Sequence, residues 1–122
     1  MSESIHTKLS VRIFTDRKCF GPGVAELLHR VDELHSLRAA AQSMEMAYSK
    51  AWTVIHNAEE GLGFKLLRSS TGGKNGGGAT VTAEGRQMLE AYEEYCRKLR
   101  AYGEELFAEV FAFYGKTEES GT

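Results

Sequence analysis

The chain has 122 residues, 42% of them hydrophobic and 26% charged, with a formal net charge of −2. That length gives one domain with a modest core and little room for the deep cleft of most enzymes. No apolar run approaches the ~20 residues of a membrane span, the start MSESIHTK lacks a signal-peptide core, and the widely spaced Cys19 and Cys96 read as reduced thiols of a cytoplasmic protein.

Residues 8–15 alternate apolar Leu9, Val11 and Ile13 with polar neighbours, the period of a half-buried strand. Gly21-Pro22-Gly23 closes that segment and sets up a helix over 24–34, where Leu27, Leu28, Val31 and Leu34 make one apolar stripe. Ser36 suits an N-cap ahead of the helix-forming run Arg38-Ala39-Ala40-Ala41-Gln42, whose small side chains let a neighbour cross closely. After Ser43-Met44-Glu45-Met46 a second amphipathic helix begins. Its inward positions are Ala51, Trp52 and Ile55, and Tyr48, Ser49, Lys50 and Thr53 project from its opposite face. Gly61-Leu62-Gly63 ends it.

Residues 64–68 and 79–81 read as short strands, joined by a stretch over 69–78 too rich in glycine to be core: a hairpin with a long tip, or wing. Thr82 then caps a long helix over 83–114, with Glu84 placed for the helix dipole, and the last residues read as a frayed end. Along that helix Met88, Tyr92, Tyr95, Leu99, Tyr102 and Leu106 follow in steps of four and three, a coiled-coil-like seam that Val110 and Phe113 extend and Gly103 weakens. A helix of about 30 residues is ~45 Å long, more than so small a domain can cover, so the seam is expected to join two copies. The expected fold is mainly α with a small β-sheet. It is a single domain over 1–122 made of the N-terminal strand, a winged helix-turn-helix over 24–82 and a long dimerisation helix over 83–114.

Two short helices with a polar leading edge, followed by a glycine hairpin, are what a winged helix-turn-helix needs to set donors against base edges in a major groove. Tyr48, Ser49 and Lys50 would reach bases or phosphates, with Thr53 one turn further along; Trp52 is expected in the core. Ser36 and Arg38, at the start of the first helix of the pair, join the candidate contacts, as do Arg68 and Thr71 in the wing. At the wing tip Lys74 supplies charge and Asn75 a groove contact, while the glycines let backbone amides approach phosphates. Because Lys74 is followed by asparagine, the loop is not a GxxxxGK[ST] nucleotide-binding turn. Charge is distributed accordingly: residues 48–86 carry five cations against three acids, whereas residues 87–122 carry four against eight.

No catalytic constellation is visible. His6, His29, His35 and His56 lack metal-ligand spacing, HExxH and GxSxG are absent, and the pairs Glu59-Glu60, Glu93-Glu94 and Glu104-Glu105 read as solvated helix faces. Neither a metal nor a cofactor is expected. The sequence therefore points to duplex DNA as partner, with a protein-interaction module that has given up DNA as the alternative from another class.

The stretch from Phe20 to Leu89 resembles the N-terminal, LysR-like winged-helix domain of ModE-type molybdate-responsive transcription regulators. The elements that carry the resemblance are SLRAAAQSM, MAYSKAW, the GFKLLRSSTGGKNGGGA wing and the TAEGR helix start. The resemblance implies a homodimer on a palindromic operator, with Tyr48, Ser49 and Lys50 at the start of the recognition helix and residues 68–78 as the wing. Two positions depart from the family pattern: Glu45 stands where a glycine is usual in the turn, and Ala47 where a serine would cap the recognition helix. The family's molybdate-binding domains would follow the long helix, where this sequence stops. No oxyanion site is assigned and molybdate sensing is not carried over, which leaves a separate effector-sensing partner open.

Overall fold

A computed structural model describes residues 4–70 and 78–115. The chain groups into two compact units, Val11–Glu90 and Met1–Ser10 with Ala91–Thr122. The first unit is a winged helix-turn-helix. Two short strands, β1 (Ile13–Phe14) and β2 (Lys18–Phe20), precede three helices, α1 (Pro22–Leu34), α2 (Leu37–Ser43) and α3 (Tyr48–Leu62). The hairpin of β3 (Leu67–Ser70) and β4 (Gly78–Val81) follows, and then α4 (Ala83–Val110), which runs on into the second unit; a 3-10 turn (Ala112–Tyr114) comes after it.

The expected N-terminal strand over 8–15 shrinks to Ile13–Phe14, paired antiparallel with β2 through a bulge. Alternation alone does not make a strand without a neighbour to bond. Leu9 instead lies against α4 in the second unit, where a Cβ on Gly103 would come within 3.1 Å of its Cδ1. Gly103 therefore admits the N-terminal segment on that flank of the helix. α1 begins two residues earlier than its apolar stripe suggests, because Pro22 sits in its first turn, where its missing N–H costs nothing. Leu34, expected inward, is 44% exposed: it falls at the end of the helix, beyond the last buried turn at Val31.

The core of the first unit gathers Phe20, Leu27, Leu28 and Val31 with Ala40, Ala41, Ala51, Ile55, Ala58, Leu66 and Leu89, all buried. The buried alanines of α2 and α3 leave little side-chain bulk between the two helices. Ser36 caps α2 as expected, its hydroxyl accepting the Ala39 N–H at 3.0 Å. Gly63, at φ 87°, ends α3 in the left-handed conformation that glycine adopts without strain.

The approach to β3 is strapped from both sides. Thr82 Oγ1 accepts the Gly85 N–H at 2.9 Å, capping α4, and donates to the Lys65 carbonyl at 2.6 Å, while the Thr82 N–H donates to the Leu66 carbonyl at 2.9 Å. Gly85 rides directly on this strand, since a Cβ there would lie 2.7 Å from the Leu66 carbonyl oxygen. From α3, the Glu59 carboxylate accepts the N–H groups of Leu66 and Leu67 at 2.8 and 3.1 Å. Glu59 is thus buried rather than part of a solvated face; its neighbour Glu60 is exposed and pairs with Arg17 at 2.8 Å.

Candidate nucleic-acid interface

The turn between α2 and α3 is built from backbone bonds. The N–H groups of Met44 and Met46 both donate to the Ala41 carbonyl, at 3.0 and 2.9 Å. Arg30 reaches across from α1 to hold the turn, donating to the Ser43 carbonyl at 3.1 Å and its hydroxyl at 3.0 Å. The reversal requires one left-handed residue, and that residue is Glu45 at φ 53°. A side chain there costs roughly 1–2 kcal/mol. Glu45→Gly is expected to raise unfolding stability by about 1 kcal/mol, read as a higher urea midpoint at unchanged slope. An unchanged or lower midpoint would show that the turn carries no such strain. Ala47, the residue before α3, is extended and offers no side-chain acceptor, so the first turn of α3 is left without a side-chain cap.

Around α3 each residue advances by about 100°. Ala51, Ile55, Ala58 and Glu59 form the buried arc, and Thr53 and Ser49 point almost directly away from it into solvent. Tyr48, Trp52 and His56 line one flank; Lys50, Val54 and Asn57 line the other, beside Arg12 and Met46. Trp52 is therefore not an inward position. It lies one residue, or about 100°, round from Ala51, and it is 45% exposed. Its ring stacks on His56, with centroids 3.6 Å apart and planes 17° from parallel.

The Tyr48–His56 flank forms one wall of a groove of about 550 Å³ whose other walls are the start of α2 and the wing hairpin. Ser36, Arg38, Lys65, Ser69 and Ser70 also border it. The Arg38 guanidinium sits 4.1 Å from the centroid of the Tyr48 ring, a cation–π contact that orders both side chains. The described part of the groove thus carries two cations, two aromatic rings, an imidazole and several hydroxyls.

The candidate residues are therefore distributed around α3 and the wing. Ser36, Arg38 and Tyr48 meet in the groove; Ser49 and Thr53 face outward; Lys50 stands on the far flank of α3. Arg68 is exposed beside Glu84, in a separate recess on the hairpin that it shares with Lys65 and Thr82. Thr71, Lys74 and Asn75 lie outside the described residues. Trp52, His56 and Lys65 border the groove as well, none of them a candidate from residue type alone. The spacing of Tyr48, Trp52 and His56, four residues apart in each step, was the available signal, outweighed by the expectation that a large apolar ring is core. Among the described residues no three His, Cys, Asp or Glu side chains come together as a metal site needs, and no helix is long and apolar enough to cross a membrane.

Comparison with known proteins agrees with this geometry. Residues 24–86 match the family described as "Bacterial regulatory helix-turn-helix protein, lysR family". Over 86 residues the chain is 30% identical to the transcriptional regulator ModE of Haemophilus influenzae, covering 70% of this chain and 32% of that protein. It is 29% identical over 86 residues to the DNA-binding transcriptional dual regulator ModE of Escherichia coli K12, covering 70% and 31%. It is also 32% identical over 66 residues to the molybdenum-pterin-binding protein MopB of Rhodobacter capsulatus, covering 54% and 24%. The chain spans about a third of the length of the ModE relatives it matches.

Proposed function

Because the chain belongs to the LysR-type family of bacterial regulatory helix-turn-helix proteins, we propose that it binds duplex DNA as a homodimer and regulates transcription from a palindromic operator. The observation that carries this reading is the exposed leading edge of α3. Tyr48, Ser49, Lys50 and Thr53 are all exposed, the helix start has no side-chain cap, and the wing lies alongside. An uncapped helix start presents N–H groups and the positive end of the helix dipole to a phosphate, while the outward side chains meet base edges. Two copies joined along α4 would set two such edges about one helical turn of DNA apart, or a multiple of it. The name of the relative MopB, a molybdenum-pterin-binding protein, supports a link to molybdenum; the chain's own residues assign no molybdate site. The relationship gives no support to the interaction-module alternative.

Selection of random duplexes by the protein, followed by titration of the enriched sequence at two salt concentrations, tests the proposal. An enriched palindrome and a steep loss of affinity with salt are expected. On that sequence Lys50→Ala should weaken binding and lower the salt slope by about one. Unchanged affinity and slope would remove Lys50 from the interface, and failure to enrich any duplex would overturn DNA binding itself.

A further inference from the structure

We propose that His56 is a specificity-determining residue, accepting a hydrogen bond from an exocyclic amine of one base in the major groove. The inference rests on the DNA-binding reading and names the chemistry that one side chain recognises. His56 Nδ1 lies 2.8 Å from the Trp52 carbonyl oxygen, and a carbonyl can only accept, so the ring hydrogen is on Nδ1. In the neutral ring Nε2 then keeps its lone pair and is an acceptor. The Trp52 indole, stacked on the imidazole at 3.6 Å, holds the ring plane. The hydrogen on Nδ1 and the plane of the ring are thus both set before any ligand arrives. The ring stands on the flank of α3 that borders the groove, two turns from Tyr48 and within a helical turn of outward-facing Thr53.

The groove hydroxyls of Tyr48, Ser69 and Ser70 can accept as well as donate but rotate freely, whereas the His56 ring is held in one plane. The cations bordering the groove, Arg38 and Lys65, only donate, which suits phosphates and the acceptor edge of guanine. Glu59, the carboxylate at the groove, is committed to the Leu66 and Leu67 N–H groups. A preoriented acceptor on the same surface matches the major-groove amines, adenine N6 and cytosine N4. The exposed indole rim beside it offers an apolar edge of the kind that meets a thymine methyl group.

The test compares the sequence preferences of the wild-type chain, His56→Phe and His56→Gln, selected from random duplexes in a mildly alkaline buffer. Phenylalanine keeps a ring to stack on Trp52 but removes Nε2; circular dichroism and thermal unfolding confirm that each variant is folded. His56→Phe is expected to flatten the preference at one base pair per half-site and to lose roughly 10-fold in affinity for the best sequence, with the salt slope unchanged. His56→Gln should shift that position towards adenine. Removing the amine from the base, with purine for adenine or the corresponding pyrimidinone for cytosine, should then weaken the wild type by a similar factor and His56→Phe no further. Independent, additive losses would overturn the assignment, as would an equal loss on every sequence or a motif that His56→Phe leaves intact. A wild-type chain that enriches no duplex would overturn the DNA reading and this inference together.

Discussion

Glutamate at both Leu99 and Leu106 is expected to leave the chain monomeric in sedimentation equilibrium and to cut its affinity for a palindromic duplex by about 100-fold or more. The first effect follows from what α4 leaves uncovered. Tyr95, Tyr102, Leu106 and Val110 are 57%, 63%, 43% and 55% exposed, in a row with half-buried Leu99, at the spacing of a helix–helix seam. The seam is apolar in a helix otherwise rich in glutamate and arginine, so solvation does not account for it. Each leucine buried in a dimer contributes roughly 1.5–3 kcal/mol, and a carboxylate in its place would add the cost of desolvating charge. The second effect follows from linkage: two half-site contacts made by one body gain about 10²–10⁴ over the same contacts made separately. A double variant that stays dimeric would move the interface elsewhere on the molecule. A monomer with undiminished affinity would show that one copy suffices for binding.

Glu59→Ala is expected to destabilise the fold by about 3 kcal/mol, measured by urea unfolding. The carboxylate is only 8% exposed and accepts two backbone N–H groups at the entry to β3. Its removal leaves the buried Leu66 N–H and the part-buried Leu67 N–H without an acceptor, each costing roughly 1–3 kcal/mol, the second at the low end. The nearby Lys65 ammonium, 3.9 Å away and largely exposed, contributes little. Glu59→Gln keeps an acceptor oxygen in place and should lose less than half as much. A loss under about 1 kcal/mol for alanine would mean that water or a shifted strand satisfies the two N–H groups. Since Glu59 joins α3 to the wing, the same variant should also soften binding to an enriched duplex.

Much of the helix-turn-helix was legible from residue chemistry. Ser36 and Thr82 were expected as caps because a hydroxyl before a helical run has free N–H groups to accept, and both do so. The Gly61-Leu62-Gly63 stretch is expected to stop α3; Gly61 lies inside the helix and Gly63, which turns left-handed without cost, ends it. The departure at Glu45 was visible as a residue type in the wrong place, and the structure gives it the positive φ that makes it so. Alternation over residues 8–15 misled, since a period of two is common to strands and to segments that rest on a helix. Trp52 and Glu59 misled in opposite directions: average preference puts tryptophan inside and glutamate outside. The family resemblance supplied the winged-helix frame but gave no preference between the flanks of α3.

Sequence by itself determined the helices, the wing and the hydroxyl caps of α2 and α4, because hydroxyls, glycines and apolar spacing act within a turn or two of the chain. Only the tertiary structure decided which flank of α3 borders the wing, that Trp52 clamps His56 rather than filling the core, and that Glu59 straps β3 from within. Those outcomes depend on which atoms from distant segments come within a few ångströms of one another. Ala40, Ala41, Ala51, Ile55 and Ala58 fill the buried side, and the indole, about 100° round from Ala51, stays on the surface with the imidazole beside it.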